Sequence, residues 1–166
     1  MILVGIGSNL AGAGYRTPLD TAVAALAALP ESGITVLAQS DWYLSEPVPV
    51  SDQPWFANAV ASVATALEPP ALLERLLTIE AQFGRVHGER NAARTLDLDL
   101  LDYDGRCCDA AELTLPHPRL DQRRFVLAPL CDLAPDWRHP TLGLTAAELL
   151  ARLPGGQPVR RLNARG

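Results

Sequence analysis

Arg94-Thr95-Leu96-Asp97-Leu98-Asp99-Leu100-Leu101-Asp102-Tyr103 is the stretch on which the fold turns. Leucine and aspartate alternate through its first half, and a period of two belongs to a strand. The pattern predicts a strand over 96–103. Leu96, Leu98 and Leu100 anchor one face in a core, and Asp97 and Asp99 project together from the other. Asp102 and Asp104 read as turn residues at its end. Two carboxylates on one face repel unless a cation sits between them. A hard divalent ion such as Mg²⁺ suits that place, because it takes one or two carboxylates and fills its shell with water and phosphate oxygens. The competing reading is an edge strand with a solvated acidic face.

Basic residues surround the acidic pair. Arg85, Arg90 and Arg94 precede it, and Arg119, Arg123 and Arg124 follow it. A metal-bound triphosphate needs both features, carboxylates for the metal and arginines for the remaining phosphate charge. Any single arginine also reads as an ordinary surface residue. All 14 basic residues are arginine and none is lysine. That excludes a P-loop lysine and a Schiff-base lysine, so phosphate contacts fall to the planar guanidinium fork. His117 stands between Pro116 and Pro118, which fix its backbone and hence its direction. His87 and His139 carry no such context and read as structural or surface residues.

Further out, Ile2–Gly7 reads as a buried strand. Thr17-Pro18-Leu19-Asp20 opens a helix with a capping box and an N1 proline, running to Leu29 and stopped by Pro30. Residues 34–44 favour a second strand, and 56–67 fit either helix or strand. Residues 70–83 are an amphipathic helix on Leu72, Leu76, Ile79 and Phe83, ended by Gly84. Residues 124–133 read as helix, and Thr145-Ala146-Ala147-Glu148 caps a last short one. The tail beyond about 153 reads as loose. The loop Tyr43–Pro47 to Gln53–Asn58 is stiffened by Pro47, Pro49 and Pro54 and carries Trp55, Phe56 and Asn58. Such a loop suits a flat heteroaromatic ring, with Phe for stacking and Asn for a polar edge. An aromatic cap over the core is the equal alternative.

The bulk numbers set limits. A chain of 166 residues with 48% apolar content forms one α+β domain, spanning 1–166 with a core over about 2–153. A net charge of −5 argues against nucleic-acid binding. No apolar run is long enough to span a membrane, the N-terminus lacks the features of a signal peptide, and Cys107, Cys108 and Cys131 form neither a disulfide framework nor a zinc motif. The expectation is a cytoplasmic protein, monomeric, with reduced thiols.

The chain strongly resembles the 6-hydroxymethyl-7,8-dihydropterin pyrophosphokinases of folate biosynthesis. The resemblance rests on Gly7-Ser8-Asn9-Leu10, Gln53-Pro54 with Asn58-Ala59, Glu80 with Gly84-Arg85, and Arg94-Thr95-Leu96-Asp97-Leu98-Asp99. Downstream it continues through Leu113-Thr114-Leu115-Pro116-His117-Pro118 and Arg123 with Phe125. It implies a ferredoxin-like α+β fold, an antiparallel sheet with helices packed on it. It implies transfer of pyrophosphate from ATP to the hydroxymethyl pterin, with AMP leaving. Asp97 and Asp99 would bind two Mg²⁺, and Arg85 and Arg94 would join them in catalysis. Leu73, Arg85, Arg94, Leu100, Thr114, His117 and Arg123 would hold ATP. Ser45, Val48, Phe56, Asn58 and Phe125 would hold the pterin. The chain departs from better-known members at His87, Asn91, Ala93, Pro118 and Asp121. The loop 85–94 is expected to order when substrates bind. Other readings are a two-metal phosphoryl or nucleotidyl transferase acting on another alcohol, or a non-catalytic ferredoxin-like binding module.

Overall fold

The computed structural model describes residues 1–86 and 92–162. The expectation of a loop that orders over 85–94 falls largely on 87–91. Arg90, His87 and Asn91 therefore lie outside the described residues.

The Asp/Leu stretch forms strand β5 (Asp97–Tyr103). It pairs antiparallel with β1 (Ile2–Ser8), which pairs antiparallel on its other side with β4 (Phe56–Ala64). The region 34–44 is two strands, not one: β2 (Thr35–Gln39) and β3 (Tyr43–Ser45) both pair with β4 at successive places. Ser40 explains the break, since its Oγ accepts from Val60 N at 3.0 Å where a regular ladder bond would run. The ambiguous 56–67 segment is strand through Ala64. Ala57, Asn58, Ala59, Val60, Ala61, Ser62 and Val63 are all buried, so both faces of the strand are covered, and this burial overrides the helical propensity of the alanines.

The sheet has two unlike faces. Ile2, Val4, Ile6, Leu96, Leu98 and Leu100 pack toward α1 (Pro18–Ala28) and α2 (Pro69–Gln82). Both sequence signals for α1 are present: Thr17 and Asp20 form the capping box, and Pro18 opens the helix. Gly84 ends the α2 region at φ 85°, where a side chain would be strained. On the opposite face Leu3, Val60 and Leu101 pack against α3 (Arg124–Leu133) and α4 (Ala146–Arg152), the latter capped by Thr145 and Glu148. These two helices cover only part of that face, and the uncovered part holds the site.

Two expectations are corrected. Asp102 is not a turn residue. The β1–β5 register shifts between Leu3 and Val4, so Leu101 and Asp102 both serve the α3 side. Asp102 is 3% exposed, accepts from Trp137 Nε1 at 2.9 Å and also accepts from Gly105 N at 3.1 Å. The tail is not loose through residue 162 either. β8 (Val159–Arg161) adds to the sheet beside β3. A separate pair, β6 (Cys108–Asp109) and β7 (Thr114–Leu115), lies near the outer edge of β5. No helix among the described residues is long and apolar enough to cross a membrane.

Candidate active site

The uncovered part of the sheet is the floor of a cavity of about 880 Å³. Gly5 lies opposite Asp99 and Gly7 opposite Asp97, and Gly7 also faces Asn58 on the other side. The glycine at position 7 keeps the floor open. A Cβ there would stand 3.2 Å from Asn58 Oδ1 and 3.9 Å from Asp97 Cβ, filling the space between the two polar groups. The walls come from the proline loop and from the start of α3. Ser45, Val48, Phe56, Asn58, Phe125, Arg94, Asp97, Asp99 and Arg123, all expected site residues, line this one cavity.

The acidic pair is held among arginines. Asp97 accepts from Arg85 Nη1 at 2.7 Å and from Arg94 Nη1 at 2.9 Å, and Asp99 stands 3.5 Å from Arg123 Nη1. Cationic groups thus relieve the repulsion that the sequence assigned to a metal. Burial, reinforced by the neighbouring Asp97 charge, pushes the Asp99 carboxyl up to about 7. A group pushed up by desolvation and a like charge gains from any further cation nearby. Among the described residues no three His, Cys, Asp or Glu side chains converge as a closed metal cage. Two open carboxylates fit Mg²⁺, which keeps positions for water and phosphate oxygen. Zinc would ask for a closed set of nitrogen and sulfur ligands.

Arg85 does double duty. It also pairs with Glu80 of α2, an acid only 2% exposed. Burial, with Asp97 and Asp99 nearby, pushes Glu80 up to about 8 against the pull of Arg85. Burial alone would lower Arg85, but Asp97 and Glu80 outweigh it and the net shift is upward. Sequence reasoning quoted Glu80 without giving it a role. Its spacing of four from Leu76 on the buried face of α2 was the available signal.

Ring-facing groups gather on the other side. Asn58 Nδ2 donates to Ser45 Oγ at 2.6 Å, which fixes the amide. Arg123 Cζ lies 5.5 Å from the Phe125 ring centroid, so the ring sits beside the cation that faces Asp99. Asn9 was quoted for the resemblance but given no task. It is fully buried and braces the rim: Nδ2 donates to Gln53 Oε1 at 3.0 Å and to Pro54 O at 3.2 Å, and Oδ1 accepts from Arg94 N at 2.8 Å.

The remaining expected nucleotide contacts lie elsewhere. Thr114 and His117 line a second cavity of about 550 Å³. His117 N donates to Leu101 O at 2.8 Å, tying this segment to the edge of β5. The backbone N of Arg119 donates to His117 Nδ1 at 3.1 Å, which leaves the ring proton on Nε2. Burial pulls this imidazole down to about 4, with the charges of Arg123 and Arg119 adding to the drop. Leu73 and Leu100 pack in the core layer toward α2 and line neither cavity. Arg124 is a correction: it donates to Pro154 O at 3.3 Å and turns toward the end of α4, because it opens α3 on the far side from Arg123. His139 is buried and structural, as expected, with Nδ1 accepting from Thr141 N and Leu142 N.

The chain is similar to several known proteins. A family model described as 7,8-dihydro-6-hydroxymethylpterin-pyrophosphokinase (HPPK) matches residues 3–135. A 2-amino-4-hydroxy-6-hydroxymethyldihydropteridine pyrophosphokinase of Pseudomonas aeruginosa is 43% identical over 153 residues, 92% of this chain and 91% of that one. Its counterpart from Synechocystis is 40% identical over 151 residues, 91% of this chain and 75% of that one. Among solved structures, Plasmodium falciparum HPPK-DHPS wild type with SDX-DHP superposes at a TM-score of 0.64. That match is 14% identical and covers 90% of this chain but 43% of the other, so it speaks for the fold alone. On the family match and the two close relatives, the chain belongs to the 7,8-dihydro-6-hydroxymethylpterin-pyrophosphokinases, which transfer pyrophosphate from ATP to hydroxymethyl dihydropterin in folate biosynthesis.

Proposed function

We propose that the chain performs its family's reaction in the 880 Å³ cavity, with the phosphates over the Asp97–Asp99 floor and the pterin ring between Phe56 and Phe125. The observation that carries this is the meeting, in one cavity, of two same-face carboxylates, their arginine partners Arg94 and Arg123, an amide and two aromatic rings, with Arg85 bound to Asp97 from behind. The pterin hydroxyl attacks the β-phosphorus of ATP. A bond forms from that oxygen to phosphorus, the bond to the bridging oxygen of AMP breaks, and the hydroxyl proton leaves to solvent.

Each residue has a task in this reading. Asn58, fixed by Ser45, presents its amide to the polar edge of the pterin, and the backbone near Ser45 and Val48 completes that pocket. Arg85, Arg94 and Arg123 exchange carboxylate partners for phosphate oxygens, moving charge-assisted hydrogen bonds to where negative charge shifts. His117, neutral with its proton on Nε2, donates to the triphosphate. Thr114 flanks the nucleotide from the second cavity beside β5, while Leu73 and Leu100 support that side only from within the core. Asp97 and Asp99 hold Mg²⁺, two ions in this reading, which when bound neutralises phosphate charge and lowers the pKa of the attacking hydroxyl.

The chain order β1-α1-β2/β3-β4-α2-β5, with sheet order β5-β1-β4 and β2/β3 outside, supports a ferredoxin-like reading of the core. The test is product identity. Incubation with ATP, Mg²⁺ and 6-hydroxymethyl-7,8-dihydropterin gives AMP and a diphosphorylated pterin. ADP as the product would refute the reading.

A further inference from the structure

The family model ends at residue 135, but the chain continues through α4 into β8, at the edge of the sheet next to the cavity. Two of this segment's side chains reach the two ends of the proline loop. At the loop's start, Glu46 N donates to Pro158 O at 3.2 Å and Gln157 Nε2 donates to Glu46 O at 2.9 Å. Both backbone groups of Glu46 are therefore held by two adjacent residues. At the loop's end, the Arg160 guanidinium lies over the Trp55 ring, 5.0 Å from its centroid. Trp55 directly precedes Phe56. Gln157 itself lines the cavity, together with Pro47, Val48 and Pro49.

The segment is anchored independently of the cavity. Leu162 N donates to Trp42 O at 2.7 Å, and Arg161 Nε donates to Asp41 Oδ2 at 2.7 Å. Arg161 also stands 3.7 Å from Asp132 of α3, which accepts from Tyr43 Oη. Among the described residues no comparable anchor reaches the loop's tip, where Val48 and Val50 are 62% and 76% exposed. A loop fixed at both ends before the ligand arrives loses less freedom when the ligand binds.

We propose that Gln157–Arg161 is a positioning element of the pterin pocket, with Gln157 and Arg160 clamping the two ends of loop 46–55. The proposal rests on reading this cavity as the pterin site. It acts on ground-state binding of one substrate and leaves the phosphate chemistry alone.

The test uses the full chain carrying Gln157→Ala, Arg160→Ala, both together, Arg160→Lys, and Asn58→Ala as a marker for the pterin site. Titration calorimetry measures the Kd of a non-hydrolysable ATP analogue, then that of hydroxymethyl dihydropterin in its presence. Steady-state assays give kcat, and thermal melts check the fold. The double variant should raise the pterin Kd about three- to tenfold, the effect of losing one hydrogen bond and one cation–π contact. The ATP-analogue Kd and kcat stay within about twofold, and Arg160→Lys recovers most of the Arg160→Ala loss. If Asn58→Ala weakens the pterin and the double variant does not, the positioning role is wrong. Equal weakening of both ligands means general loosening and also overturns it. If Asn58→Ala leaves pterin binding unchanged, the site reading fails and this proposal falls with it.

Discussion

Arg85 bridges two acids of different elements, standing 2.7 Å from Asp97 on β5 while pairing with Glu80 on α2. The guanidinium is thus both a structural clip between helix and sheet and a cation bound to the Asp97 carboxylate of the cavity floor. Arg85→Ala should lower stability by about 1–3 kcal/mol, the cost of leaving buried Glu80 without its donor. It should also cut turnover by about a hundredfold or more, as expected for a lost phosphate donor. The double variant Arg85→Ala, Glu80→Gln separates the two roles. It should recover melting temperature but not turnover. Recovery of both would mean that Arg85 never touches phosphate.

Phe125→Ala should weaken pterin binding more than ATP binding. The ring lines the cavity beside Arg123, and a stacked aromatic contributes about 0.5–1.5 kcal/mol beyond its buried area. Calorimetric titration of both ligands checks this. Equal losses would assign Phe125 to packing against α3 and its neighbours.

His117 predicts a pH effect with a definite sign. The unfolded chain takes up a proton near the ordinary value of 6.5, whereas the folded chain does so near 4 because burial opposes the charge. Between those values the unfolded state binds more protons, so stability falls as the pH drops through the window. His117→Asn removes this contribution. Its melting temperature should decline less between pH 6.5 and 4 than that of the unaltered protein. Parallel declines would show that the imidazole is not held neutral by the fold.

Much of the fold and site is readable in the chain because the signals are local. The Asp/Leu alternation sets β5, and the Thr17–Asp20 and Thr145–Glu148 boxes set two helix starts. Of the nine cavity-lining residues named beforehand, Phe56, Asn58, Arg94, Asp97, Asp99 and Arg123 are legible from residue type and spacing, whereas Ser45, Val48 and Phe125 rest on the family resemblance. What was missed depends on distant partners. Asp102 reads as a turn residue because the register shift opposite Leu3 cannot be seen from β5 alone. β8 lies among glycine, proline and arginine, and only the free edge of β3 makes it a strand. Arg124 and Arg123 look alike as neighbours in sequence, yet the start of α3 sends them to opposite sides.

The proposed function depends above all on Asp97 and Asp99 forming the metal-binding floor of the reaction. Single-turnover AMP formation at saturating Mg²⁺, measured for Asp97→Asn and Asp99→Asn beside thermal melts, tests it most directly. Both variants should fold, and their rates should fall by about a hundredfold or more, because the shape remains while the charge that would hold the metal is lost. Folded variants turning over at near-unaltered rates at the same Mg²⁺ would contradict it.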